Sequence, residues 1–189
     1  MKTPRTPEDQ LLRVLRAAKL NGASIAIVAG LGALLSLAFG DLVGAVTGAL
    51  VSAGGVMELS GRKQLLRGDA DGMRRLVRSE LLVLCVILVY AMSRFMSFDA
   101  EGALGNLTPD MRSDLAQAGV DVGSLLPMVR LMFYAFYGAV ALVALIYQGG
   151  MALYYRRHTA TVLMALAARR RPVPPPPRLA TGDPEDWVT

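Results

Sequence analysis

LNGASIAIVAGLGALLSLAFGDLVGAVTGALVSAGGVMELS, residues 20 to 60, carries no charge before Asp41 and none between Asp41 and Glu58. Twenty residues of helix span roughly 30 Å, the thickness of a bilayer's hydrocarbon core, so Leu20 to Phe39 is long enough to cross a membrane. Leu42 to Met57 is shorter and reaches spanning length if Leu59 and Ser60 continue the helix. Only Gly40 and Asp41 separate the two runs. That makes 20–60 an antiparallel transmembrane hairpin, with Asp41 placed to cap its second helix.

The hairpin is rich in glycine, a residue that weakens helices in water by about 1 kcal/mol against alanine. In lipid the backbone bonds cannot be exchanged for water, and small size becomes the useful property: a small residue every fourth position lets a second backbone come close. Gly40, Gly44, Gly48 and Ser52 form one such stripe; Gly22, Ala26 and Gly30 form a second, and Gly32, Ser36 and Gly40 a third. Either the stripes face one another inside the hairpin, or one is left over for a second copy or a partner subunit.

Outward from the hairpin, two more apolar runs follow. Leu81 to Phe98 is interrupted only by Arg94, and Leu131 to Tyr155 is uncharged. Ser124 is placed to cap the last helix and Pro127 suits its first turn, so that helix starts ahead of Arg130. With 53% hydrophobic residues and a mean hydropathy of +0.42, the chain reads as an all-α integral membrane protein, a four-helix transmembrane bundle with amphipathic cytoplasmic helices.

Lysine and arginine set the orientation. Lys2, Arg5, Arg13, Arg16 and Lys19 precede the first span, Arg62, Lys63, Arg67, Arg74, Arg75 and Arg78 lie between the second and third, and Arg156, Arg157, Arg169, Arg170, Arg171 and Arg178 follow the fourth. The other connections hold Asp41, Asp99, Glu101, Asp110, Asp114 and Asp121 against Arg112. The positive-inside rule places both termini and the middle loop in the cytoplasm of a cell whose plasma (inner) membrane holds the protein. The expected organisation is a cytoplasmic amphipathic helix (1–19), the hairpin (20–60), a basic cytoplasmic loop (61–80), a third span (81–98), an acidic external loop (99–124), a fourth span (125–155) and a basic, proline-rich tail (156–189).

Thr6-Pro7-Glu8-Asp9 has the composition of a helix start. In the helix that follows, Leu11, Leu12, Val14, Leu15 and Ala18 oppose Arg13, Arg16 and Lys19, the pattern of a helix lying at the membrane interface on anionic headgroups. The middle loop repeats the pattern, with Gly61 placed to end the second span, a turn at Asp69 to Gly72, and Met73, Leu76 and Val77 opposite arginines. Thr159 to Ala168 can extend the last helix before Pro172 to Pro177 imposes polyproline geometry, which reads as a spacer.

Ionisable groups near a membrane are candidates for function. Arg94 and Arg130 either snorkel to the interface or, with Tyr90 and Tyr134, form a site for an anion or lipid phosphate. Glu58 precedes Arg62 by four residues, the favourable order for a helical ion pair at the interface, and Glu80 stands at the inner edge of the third span. No span carries an acid or histidine at mid-depth, so no proton path is expected. Asp69, Asp71 and Glu80 match three places of a calcium loop, but Met73 and Arg74 occupy positions that need an oxygen ligand and a glycine.

One cysteine, Cys85, and one histidine, His158, cannot build a disulfide or a histidine- or cysteine-rich metal or haem site. No cofactor, metal or catalytic group is expected, and the basic blocks between apolar runs argue against nucleic acid. The expected function is a non-enzymatic accessory, scaffold or assembly subunit that packs against copies of itself or another membrane protein. The alternative is a small transporter or oligomeric channel for an anion.

Overall fold

The structure, a computed structural model, describes residues 6–99, 102, 108–119 and 121–170. Glu101 of the acidic loop and the proline-rich part of the tail, residues 171–189, fall outside the described residues. Every regular element among those described is helical: α1 (Pro7–Ala38), α2 (Leu42–Leu66), α3 (Asp71–Ser97), α4 (Pro109–Gln117), a 3-10 turn (Val122–Leu125) and α5 (Leu126–Arg170). Four helices, α1, α2, α3 and α5 with the 3-10 turn that leads into it, are long and apolar enough to cross a membrane. Successive long helices pack side by side in antiparallel order, and α1 meets α5 to close the bundle.

Local chemistry explains the ends. Thr6 Oγ1 accepts from the Asp9 amide at 3.2 Å while Asp9 Oδ2 accepts from the Thr6 amide at 3.2 Å, a reciprocal cap that starts α1. Asp41 caps α2 by accepting from the Gly44 amide at 3.0 Å. Between these helices Gly40 has φ +77°, a left-handed conformation that a side chain would strain, and this allows the two-residue turn. Gly68, φ +81°, plays the same part between α2 and α3. Ser124 is not the cap ahead of α5: its amide donates to Asp121 Oδ2 at 3.1 Å, so Asp121 caps the 3-10 turn that leads into α5.

The hairpin stripes face each other. A Cβ on Gly48 would stand 2.9 Å from the Ala29 carbonyl oxygen and from Ala33 Cβ, and one on Gly55 2.6 Å from the Ala26 nitrogen. Gly22 lies against the Gly55 carbonyl, Gly30 faces Ser52 Oγ, and that hydroxyl donates to the Ala26 carbonyl at 2.9 Å. Gly44 is close to Ser36 and to its own cap Asp41. Gly32 and Gly40 have open space where a Cβ would be, so the Gly32–Ser36–Gly40 stripe is not used as a continuous seam inside the bundle. A further close approach joins α2 to α3, where a Cβ on Gly72 would meet the Gly61 carbonyl at 2.6 Å. Gly61 therefore lies inside α2 and serves packing; the helix runs on to Leu66.

Two zones with different solvents follow. Between 6% and 28% of each apolar window is buried inside the bundle, so most of those side chains, among them Leu31, Leu34, Leu142 and Ile146, face outward to what must be lipid. At the arginine-rich end the helices run on past their apolar windows and form a packed head. Its core joins Leu11, Val14, Leu15 and Ala18 of α1, Leu65 of α2, Met73 and Leu76 of α3, and Val162, Ala165 and Leu166 of α5. The amphipathic segments of residues 7–19 and 71–80 are thus continuous with the spans. Leu11, Val14, Leu15 and Ala18 of the first and Met73 and Leu76 of the second pack against protein rather than spread on a membrane surface, while Leu12 stays exposed; amphipathic stripes at one level bury one another more completely than an interface would.

Candidate functional site: a buried carboxyl cluster

Two tight antiparallel turns dictate which residues come level. Folding back at the Gly40-Asp41 turn brings Asn21 within a helical turn of the level of Glu58, and reflection through Arg67–Ala70 sets Glu58 beside Glu80. The side chains meet as this register requires. Asn21 Nδ2 donates to Glu58 Oε2 at 2.9 Å and to Glu80 Oε1 at 2.7 Å, so one amide bridges two carboxyls on two other helices. From α5, Tyr155 donates to Glu58 Oε1 at 2.6 Å and Tyr147 to Asn21 Oδ1 at 3.0 Å. All four long helices contribute.

The cluster is deeply enclosed. Glu58 and Glu80 are each 1% exposed, Asn21 7% and Tyr155 0%. By helical rise Glu58 lies roughly 25 Å along α2 from Asp41, at the level where the apolar spans give way to the basic head. Above it, Phe136, Val140, Val143, Ala144, Tyr147 and Gln148 of α5 line a groove of about 410 Å³ that also touches Ile87 of α3. Two buried acceptors are left over: Glu80 Oε2 and Gln148 Oε1 have no hydrogen-bond partner.

The expected Glu58–Arg62 ion pair does not form. Glu58 turns into the bundle toward Asn21 and Tyr155, while Arg62 Nε donates to the Leu15 carbonyl at 3.2 Å. The reason is register: Glu58 points at the α1/α3/α5 junction, and Arg62, one turn on, ties α2 to the head segment of α1.

Arg94 and Arg130 have different surroundings. Arg94 Nη2 donates to Asp41 Oδ2 at 2.7 Å and its guanidinium lies 5.1 Å from the centre of the Tyr90 ring. Arg130 lines a separate apolar groove with Leu126, Pro127, Leu131 and Tyr134. Tyr134 itself stacks on Phe95 at 5.4 Å, part of an aromatic seam in which Phe98 stacks on Phe133 at 3.7 Å. Arg94 thus places its charge on the hairpin turn.

At the basic end a cleft of about 300 Å³ lies between α2 and α3, lined by Met57, Gln64, Asp71, Arg74, Arg75 and Arg78. Arg75 Nη1 donates to Ser60 Oγ at 3.1 Å across it. Among the described residues no three His, Cys, Asp or Glu side chains gather as metal ligands. Compared with models of known protein families, with characterised proteins and with solved structures, the chain matches none.

Proposed function

We propose that the chain is a non-enzymatic accessory or scaffold subunit of the plasma (inner) membrane, with both termini and the packed head in the cytoplasm. The observation that carries this reading is the head itself. Its core is packed inside, its cations stand outside beside a few exposed apolar side chains such as Leu12 and Met164, and it continues rigid helices anchored in lipid, so what it offers to its surroundings is a largely cationic surface beside a membrane. Such a surface attracts anionic headgroups at about 1 kcal/mol per basic residue near the bilayer. The Met57–Arg78 cleft, apolar toward the spans and lined by three arginines, suits a lipid phosphate with its first acyl carbons.

Association with a second copy or another membrane protein falls to the outer faces. On α5, Gly138 and Gly149 lie three turns apart on one face with open space over both, and Gly32 is open on α1. Close approach of a further helix there costs no side chain.

Purification from native membranes in mild detergent tests the reading. A defined homo-oligomer or a stoichiometric membrane-protein partner, together with retained anionic lipid, is expected. Replacing Arg74, Arg75 and Arg78 by glutamine should strip that lipid. A monomer without partner and without lipid preference would overturn the proposal.

A further inference from the structure

The buried cluster holds more acceptors than donors, and the count is specific. Two carboxyls present four oxygens. The Asn21 amide supplies two hydrogens and the Tyr155 hydroxyl one, which satisfies Glu58 Oε1, Glu58 Oε2 and Glu80 Oε1. The fourth oxygen, Glu80 Oε2, is 99% enclosed with its side chain and receives nothing. A single nitrogen, Asn21 Nδ2, donates to both carboxyls, at 2.9 and 2.7 Å, so the two stand side by side. The charge balance gives the same answer. From α1 the cluster meets Asn21, from α2 Glu58, from α3 Glu80, and from α5 Tyr147 and Tyr155. Arg62, the nearest cation along α2, is committed to the Leu15 carbonyl. Two ionised carboxylates without a cation are too costly to enclose together.

We propose that Glu58 and Glu80 form a binding site for a single proton, held between their carboxyls on the orphan oxygen and exchanged with water. With the proton bound, all four carboxyl oxygens are satisfied and the pair carries one negative charge, which the Asn21 amide and the Tyr155 hydroxyl solvate. Without it, two like charges bridged by one amide push α2 from α3 at the level where the spans enter the head. The site therefore couples proton binding to the packing of the helices around it. It differs in kind from a transmembrane proton path, since it is a single station at one depth.

The linkage has a definite sign. A proton that the folded bundle holds and the unfolded chain releases makes stability greatest at lower pH and lets it decline as the pH rises. Glu80→Gln supplies a permanent amide hydrogen where the proton would sit and should remove that dependence.

The test is infrared spectroscopy of the full chain in lipid nanodiscs, titrated with buffer from about pH 5 to about pH 9, a range centred on neutral where ordinary carboxyls are ionised. The expected result is a protonated-carboxyl band at neutral pH, deuterium-sensitive and equal to one group, absent from Glu80→Gln and retained in the control Glu8→Gln. The thermal midpoint of the parent should fall with rising pH and that of Glu80→Gln should stay level. No protonated band in the parent at neutral pH overturns the proposal, as does a band unchanged in both Glu80→Gln and Glu58→Gln. A band abolished by sodium or potassium alone would assign the site to an alkali cation and equally overturn it. The parent spectrum decides even if a variant fails to fold.

Discussion

Arg94 of α3 donates to Asp41 of the hairpin turn at 2.7 Å, and Asp41 with its other oxygen caps α2. One carboxylate thus ends a turn, starts a helix and anchors a third helix. The side chains are 29% and 38% exposed, so screening limits the pair to about 1 kcal/mol. Arg94→Gln and Asp41→Asn should each destabilise the bundle, Asp41→Asn less than full loss of the cap because asparagine also caps. A double-mutant cycle on reversible unfolding in bicelles should show favourable coupling between the two. Coupling indistinguishable from zero would mean that the contact is incidental.

Gly48 and Gly32 should respond in opposite ways to the same enlargement. Leucine at 48 drives into the Ala29 backbone and Ala33, with no flexible neighbour to yield, and should abolish folding of the hairpin. Leucine at 32 meets open space and should leave the monomer's thermal midpoint within a degree or so while weakening any association through that face. Equal tolerance at both sites, measured by thermal unfolding and by crosslinking, would contradict the hairpin packing.

Tyr155→Phe removes one of the three donors to the carboxyl pair and nothing else of its volume. A buried acceptor deprived of its partner costs roughly 1–3 kcal/mol, toward the lower end for a group at membrane depth. Unfolding measurements should show that loss at neutral pH. Tyr134→Phe keeps the ring stacking on Phe95 and should cost less. An equal or larger effect at 134 would contradict the assigned network.

Leu76→Ala discriminates a sealed head from helices lying flat on a bilayer. Leu76 is wholly enclosed, so truncation should cost roughly 2–5 kcal/mol, whereas Leu34→Ala, on an outward face, should be nearly silent. Hydrogen exchange across residues 7–19 should rise in Leu76→Ala if α1 and α3 share that core. Unchanged exchange there would place the segment elsewhere.

The spans, the tight hairpin and its capping by Asp41 were legible because length, apolarity and turn chemistry are local properties of the chain. Continuity of α1 from the amphipathic segment into the span was not, since a pattern such as Leu11, Val14, Leu15 and Ala18 opposite arginines describes equally a helix on lipid and one in a protein core. Gly61 misled for a related reason: a glycine near a helix end resembles a stop, but here it lets α3 approach at Gly72. The carboxyl cluster is hidden from local rules because Glu58 and Arg62 satisfy a within-helix pattern and Asn21 is uncharged. The signal lies in the register of the turns, which brings 21 within a helical turn of 58 and sets 58 level with 80. Tyr147 and Tyr155 could be found only from the crossing of α5, which no local rule supplies.

The central claim is that four helices cross a membrane and return both ends of the chain, with the head, to one side. Single cysteines at Ser113 and at Arg67, in a chain whose Cys85 is replaced by alanine, test it with a membrane-impermeant maleimide. Ser113→Cys should be labelled in intact cells and Arg67→Cys only after permeabilisation. Labelling of both positions from the same side, or recovery of the polypeptide in the aqueous fraction, would contradict the account.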